Sequence, residues 1–344
     1  MSSTSLAVLT KARAKFGKQL KERDYSNLLA CQSVPEVMVY LKSHTHFAKV
    51  LSDVNERDVH RGRLEMLLRQ QNFNEFDSLC RYDSDVSTGF SRYVIARIEA
   101  EQILRFLILM SSNSTEKFIF QFPSFFAKHT EIDFMKLATA DDYGEFLKAL
   151  KNTPYYDALK RFEPDSFGKL PVSEIEMALY GIIYKELMDS ALRNTKGQER
   201  DELQSLFFTI NDYMIFSRIL RMKKYYDLSP EDIRRNLFTE YSSINPKLLD
   251  EMCKAESSAE VFTVMQRTRS GRIIKTIGYN YAGDINPRVK YKLAKHNLHF
   301  STNPSVVMIS FLFAGETELM NVISLIEGVR YKLDKAAIKS LLIY

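Results

Sequence analysis

Six histidines, three cysteines and several closely spaced carboxylates are the residues of this 344-residue sequence that could do chemistry, and their spacing argues against it. His44 and His46 are two apart, not the four that put two imidazoles on one helical face. His60, His129, His296 and His299 lack the clustered Cys/His spacing of a structural zinc site. No metal or cofactor is expected. Cys31, Cys80 and Cys253 are odd in number and far apart, so they read as buried thiols of a reducing compartment rather than a disulfide framework. Glu99/Glu101 and Glu316/Glu318 could offer paired carboxylates for acid–base work. On amphipathic helices such pairs read as solvated faces or ion pairs, for example Glu101 with Arg105 at i,i+4. Gly278 to Gly283 has the outer spacing of a phosphate loop, but Asp284-Ile285 stands where Lys and Ser/Thr belong, which leaves a polar turn. Gly-x-Ser-x-Gly, dinucleotide and His-Glu-x-x-His signatures are absent from the sequence, and no catalytic activity is expected.

Two basic stretches, Arg267 to Lys275 and Arg288 to Lys295, invite a nucleic-acid reading, the second alternating with Val289, Tyr291 and Leu293. The 48 Lys+Arg are nearly balanced by 43 Asp+Glu, however, so a basic rim for an acidic protein, or a plain solvated surface, accounts for them better. With 45% hydrophobic and 26% charged residues the chain is an ordinary globular one. No cationic leader precedes an apolar stretch, and the longest apolar run, Val306 to Ala314, is far below the ~20 residues of a bilayer span. The expectation is a protein that does not cross a membrane.

The elements that would position these residues are helices. Only 12 Gly and 9 Pro punctuate the chain, too few for sandwiches or barrels. Helices are predicted over 5–22, 57–72, 88–111, 173–193, 200–226, 230–238 and Ser305 to Gly328, the last as one long helix or two nearly continuous ones, with Ser173/Glu176 as a capping box and 118–126 as a short extended connector.

A repeat runs through them. Ser33/Glu36, Asp142/Glu145 and Ser257/Glu260 each open a helix with a capping box, in which the cap oxygen takes the third N–H and the Glu reaches back to the cap's own N–H. Each is followed by a threonine, Thr45, Thr153 or Thr268, placed to cap a second short helix, and then by an apolar pair. The caps are 109 and 115 residues apart. Acidic residues Glu99, Asp212 and Glu318, each heading an apolar block, recur 113 and 106 apart. Two markers therefore predict an all-α chain of three tandem similar units, 1–125, 126–240 and 241–344.

Taken together, Lys11-Ala-Arg-Ala-Lys-Phe-Gly-Lys-Gln-Leu, Ser33-Val-Pro-Glu-Val-Met-Val-Tyr-Leu-Lys42, His60-Arg-Gly-Arg-Leu-Glu65, Leu137-Ala-Thr-Ala-Asp-Asp-Tyr-Gly-Glu-Phe-Leu and Glu316-Thr-Glu-Leu-Met-Asn-Val-Ile-Ser-Leu-Ile-Glu-Gly-Val-Arg330 resemble the C subunit of bacterial and archaeal V-type rotary ATPases, counterpart of the eukaryotic d subunit. The resemblance spans nearly the whole chain. It implies a pseudo-threefold funnel with a central opening, seated on the cytoplasmic face of the membrane's proteolipid rotor ring. The axle subunits would enter its hollow, and the protein would transmit torque as a monomer without catalysis. The alternative is a helical scaffold with unrelated partners. In the matched terminal motif, Glu318, Asn321, Glu327 and Arg330 are the polar residues that would face partners or neighbouring repeats, although Glu318 and Asn321, three apart, can equally lock adjacent helices. Arg105, within an apolar stretch, either pairs with Glu101 or lines the hollow. Arg269, Arg272, Arg288 and Lys292 form the basic edge expected to meet an acidic partner. Gly271 and Arg272 depart from the first two units, so the second short helix of the third unit is expected to be weaker.

Overall fold

The computed structural model describes residues 3–55, 60–82, 84–164, 170–226, 228–279 and 281–344, and among these every regular element is helical. Seven helices are long: α1 (Ser3–Gly17), α2 (Arg61–Cys80), α3 (Ser84–Ser111), α4 (Val172–Asn194), α5 (Gly197–Tyr225), α6 (Ala282–Phe300) and α7 (Pro304–Arg330). Between them lie groups of short helices.

The three capping devices are built from local bonds. The N–H of Glu36 donates to Ser33 Oγ at 3.4 Å, that of Glu145 to Asp142 Oδ1 at 2.8 Å and that of Glu260 to Ser257 Oγ at 3.2 Å. The return bond differs from expectation, and in the same way each time. The glutamate accepts not from the cap's own N–H but from the residue before it: Gln32 at 2.9 Å, Asp141 at 3.1 Å and Glu256 at 2.9 Å. The threonines also share a role that the sequence reading assigned otherwise. Their hydroxyls donate backward, to the carbonyls of Leu41, Leu150 and Met265 at 2.6, 2.7 and 2.7 Å, and so close the preceding helix. Forward capping is uneven: Thr45 Oγ1 accepts from Phe47 and Thr268 Oγ1 from Gly271, whereas Thr153 makes no side-chain cap.

The second short helix of the third group, Ser270–Thr276, is a 3-10 turn, where Pro154–Leu159 is α-helical. The turn contains Gly271, whose backbone lies so close to the Met265 carbonyl that an added Cβ would stand 1.8 Å from that oxygen.

Long helices meet in cyclic order. α3 packs on α4, α4 pairs with α5, α5 packs on α6, α6 on α7, α7 on α2, and α2 returns to α3. α1 lies along α7. The apolar interior follows this order. One cluster joins the short helices of residues 22–51 to the C-terminal half of α7, with Leu28, Leu41 and Leu51 against Val322, Leu325 and Ile326. A second joins the C-terminal half of α5 to the short helices that precede α6. The largest holds α3, α4 and the short helices between them. Tyr344 stacks on Tyr25 of the first short-helix group with ring centroids 4.8 Å apart.

Several elements differ from their sequence reading. The helix expected over 5–22 stops at Gly17, because the Leu20 N–H is drawn to Glu318 Oε1 at 2.6 Å. Within 118–126 the connector is extended only at Phe122 and Pro123; Phe118–Gln121 and Ser124–Lys128 are helical turns, with Phe118 packed edge-on against Phe106 at 5.3 Å. Ser173 and Glu176 do not form a cap; the cap is Pro171, and both side chains hold Arg218 instead. α6 was hidden by the two-residue alternation of 288–295. Of Gly278 to Gly283, Gly283 already lies in α6, and residue 280 is outside the described residues.

α7 is unbroken over 27 residues, about 40 Å. By length and composition it is apolar enough to cross a membrane, but 83% of its apolar window is buried within the fold, which makes it the core helix.

Candidate functional site

The three recurring acids are all buried, and each is clasped by donors from the segment that follows in cyclic order. Glu99 on α3 accepts from Thr130 Oγ1 at 2.5 Å and from Tyr155 Oη at 2.7 Å. Asp212 on α5, fully buried, accepts from Ser242 Oγ, Ser243 Oγ and Ser270 Oγ, each at 2.5 Å, and from the Ser243 N–H at 3.0 Å. Glu318 on α7 accepts from the Leu20 N–H and has His46 Nε2 3.0 Å from Oε2. The partners correspond. One lies shortly before a short helix (Thr130, Ser242/Ser243, Leu20), and the other lies one or two residues past the repeated threonine (Tyr155, Ser270, His46). The first two clasps join neighbours along the chain. The third joins residue 318 to residues 20 and 46 and closes the cycle. Of the expectation of solvated faces or ion pairs, the solvated face is therefore corrected for Glu99 and Glu318, both buried, while Glu316 stands in an ion pair with Arg97 and Lys290. The signal that could have found the clasped acids was their own recurrence.

A second polar node lies where α3, α6 and α7 converge. Glu316 accepts from Arg97 and, at 2.6 Å, from Lys290, whose ammonium also sits 4.1 Å from the centroid of the Phe313 ring. Burial alone would push the Glu316 carboxyl up, but the two cations outweigh it and hold the carboxyl below its ordinary value of 4.5. Burial depresses Lys290, assisted by Arg97 against the pull of Glu316. For Glu99 burial dominates and the carboxyl is raised.

The sign for stability follows. A carboxyl depressed in the folded chain contributes stability that is fully present above its unfolded value and is lost as pH falls through the folded one. Urea midpoints measured from pH 7 downward should therefore drop below about pH 4.5 in part through Glu316. Glu316→Gln should be less stable at pH 7 and show a shallower acid limb. Equal acid limbs in the two proteins would exclude the coupling.

Between α2, α3 and α7 the surface opens into a concavity of about 720 Å³. Arg105 is half-buried on its wall, as is Arg97, while the Glu101 carboxylate pairs with Arg69 at 3.8 Å. Glu318 and Asn321 are buried and bond within the chain. Asn321 Nδ2 donates to Tyr25 Oη at 3.1 Å and to the Ile343 carbonyl at 2.6 Å, and its Oδ1 takes the Ile343 N–H at 2.9 Å. Glu327 is half-buried and pairs with Arg61 of α2 and, at 3.6 Å, with the exposed Arg330. The basic edge divides. Arg288 is tied to Asp284 at 2.8 Å and to the Ser340 carbonyl, and Lys292 to the Thr276 carbonyl at 2.9 Å. Arg269 and Arg272 remain exposed, Arg269 beside a hollow that Asp201 and Ser243 also line. Cys253 is buried, whereas Cys31 and Cys80 are only half-buried; burial raises all three thiols, Cys80 to about 12.

A family model described as "ATP synthase (C/AC39) subunit" matches residues 8–341. The chain is 23% identical over 267 residues to a Methanosphaera stadtmanae protein that is named as the C subunit of an A-type ATP synthase. That match covers 77% of this chain and 66%, just under two thirds, of the relative. With the family match running almost end to end over an all-helical fold, the chain belongs to the ATP synthase (C/AC39) subunit family.

Proposed function

We propose that this chain is the non-catalytic central-stalk subunit of a V-type rotary ATPase. In that role it couples the axle subunits to the membrane proteolipid rotor ring on the cytoplasmic face and transmits torque for proton or sodium transport. Its three units, 1–125, 126–240 and 241–344, stand around a pseudo-threefold axis as a funnel. The observation that carries this reading is the cyclic clasp: each buried acid holds the following short-helix group, and the last holds the first. A torque coupling needs torsional stiffness. Close-packed long helices joined by hydrogen-bonded carboxylates have it, because such interiors are not continuously deformable.

Two measurements test the reading. Small-angle scattering should give a radius of gyration above the ~20 Å of a compact chain this long. The chain co-expressed with its complex should co-purify with axle and proteolipid subunits, and the charge reversal R269E/R272E should weaken that recovery. A freestanding scaffold would recover neither neighbour, and recovery unchanged by the reversal would remove the basic edge from the interface.

A further inference from the structure

Residues 331–344 fold back over the end of α7. Lys332 takes a left-handed backbone, φ 54°, and the Leu333 N–H donates to the Gly328 carbonyl at 2.9 Å, which reverses the chain. Asp334 then caps the short helix Lys335–Leu341, and Leu342 returns to extended backbone. The grip on this segment is made at four points. Ile338 enters a notch that Gly328 leaves on α7: a Cβ there would stand 2.5 Å from Ile338 Cγ1 and 3.2 Å from its Cγ2. Leu342 is buried. Ile343 pairs with the Asn321 amide through both main-chain groups, its N–H donating to Oδ1 at 2.9 Å and its carbonyl accepting from Nδ2 at 2.6 Å. Tyr344 lies on the Tyr25 ring, the planes 14° apart. Apart from Ile338, every residue from Tyr331 to Leu341 is exposed. So few buried contacts mark a unit that opens ahead of the fold it lies on.

The surface beneath the segment has the chemistry of a peptide receptor. A side-chain amide that pairs with the N–H and the C=O of one residue reads main chain, whatever side chain that residue carries. Selectivity then falls to the flanks, which are a notch for a branched aliphatic at 338, a buried aliphatic place at 342 and an aromatic face at 344. Tyr25 and Asn321 are linked to each other at 3.1 Å and are themselves 2% and 3% exposed, so the receptor is held in place by the fold. Tyr25 belongs to the first short-helix group and Gly328 and Asn321 to α7, so the groove straddles the seam that the Glu318 clasp closes.

We propose that this seam is a peptide-binding groove, occupied in cis by residues 338–344 and able to take the same segment in trans from a second copy of the chain. Its ligand is a helical turn carrying a branched aliphatic residue, followed by an extended Leu-Ile-Tyr. Tethering holds the cis segment at a high effective concentration, so a free segment enters only the fraction of chains whose own segment has lifted. The groove goes beyond the rotary reading and does not depend on it.

The probe is a fluorescent synthetic peptide of the sequence 335–344, read by anisotropy against the full chain. Wild type should bind it weakly, because the tethered copy competes. Leu342→Asp combined with Tyr344→Ala in the full chain should expel the tethered copy and tighten the free peptide about tenfold or more. Adding Gly328→Ala to that pair should abolish binding, since both branches of the isoleucine side chain lie where the new methyl would stand. Alanine suits a helix interior better than glycine, so circular dichroism should show the helix content kept. A peptide carrying Ile338→Glu leaves the protein untouched and should also fail on the opened chain. In wild-type hydrogen exchange, the amides of 335–344 should open ahead of those of 318–328. Failure of the opened chain to bind, equal binding after Gly328→Ala or by the Ile338→Glu peptide, or equal protection of 335–344 and 318–328, would each overturn the proposal.

Discussion

Gly271→Ala is expected to lower the folding stability of the chain by about 3 kcal/mol or more in urea unfolding. The new methyl carbon would stand 1.8 Å from the Met265 carbonyl oxygen, 2.6 Å from its carbon and 2.9 Å from the Gln266 Cα. All three are backbone atoms, so no side-chain rotation relieves the contact. The helix Ser258–Met265 or the turn Ser270–Thr276 must shift, and the turn carries Ser270, a donor to Asp212. The control is Gly278→Ala, whose Cβ would meet nothing within 4 Å and which should change stability by less than about 0.5 kcal/mol. Equal stabilities of the two variants would show that this approach is looser than described.

Asp212→Ala is expected to cost about 3–5 kcal/mol, with a smaller loss for Asp212→Asn, which keeps one acceptor oxygen. The carboxylate is fully buried and takes four donated bonds, three of them from hydroxyls that have been withdrawn from water to reach it. Alanine leaves Ser242, Ser243 and Ser270 facing a space with no acceptor. It also unpins the loop that leads into Pro246–Lys254. Because the clasps succeed one another around the cycle, the loss should appear in hydrogen exchange as faster opening of residues 242–276 before the rest of the chain. Loss under about 1 kcal/mol, or uniform acceleration of exchange, would show that Asp212 does not hold this junction.

These effects sit at positions that the sequence exposed unevenly. The capping devices at Ser33, Asp142 and Ser257 were legible because the bond from cap oxygen to N–H spans only three residues, so residue type and spacing suffice. Even there the glutamate's return bond fell one residue earlier than expected, a matter of side-chain reach that spacing does not distinguish. Gly271 was legible as a departure from the pattern, though not as a point of backbone contact. α6 was missed because the lysines and apolar residues of 288–295 alternate like a strand. The helix forms because Val289 and Ala294 face α5 and α7, while Arg288 and Lys292 are held by Asp284 and Thr276. The Arg97–Glu316–Lys290 node left no local trace, since nothing within a few residues of any of them announces a partner.

What the sequence by itself determined is an all-helical chain in which one helix-starting device and one acid recur three times, without the spacings that known catalytic motifs require. What only the tertiary structure decided is where those acids point. Glu99, Asp212 and Glu318 sit on amphipathic helices, where a carboxylate ordinarily faces water. Each instead turns inward toward donors that lie 30 to about 300 residues away. Capping is a short-range bond and is written in neighbouring residues. Burying a charge is tolerable only where several donors converge, and that convergence exists only once the long helices have closed their cycle.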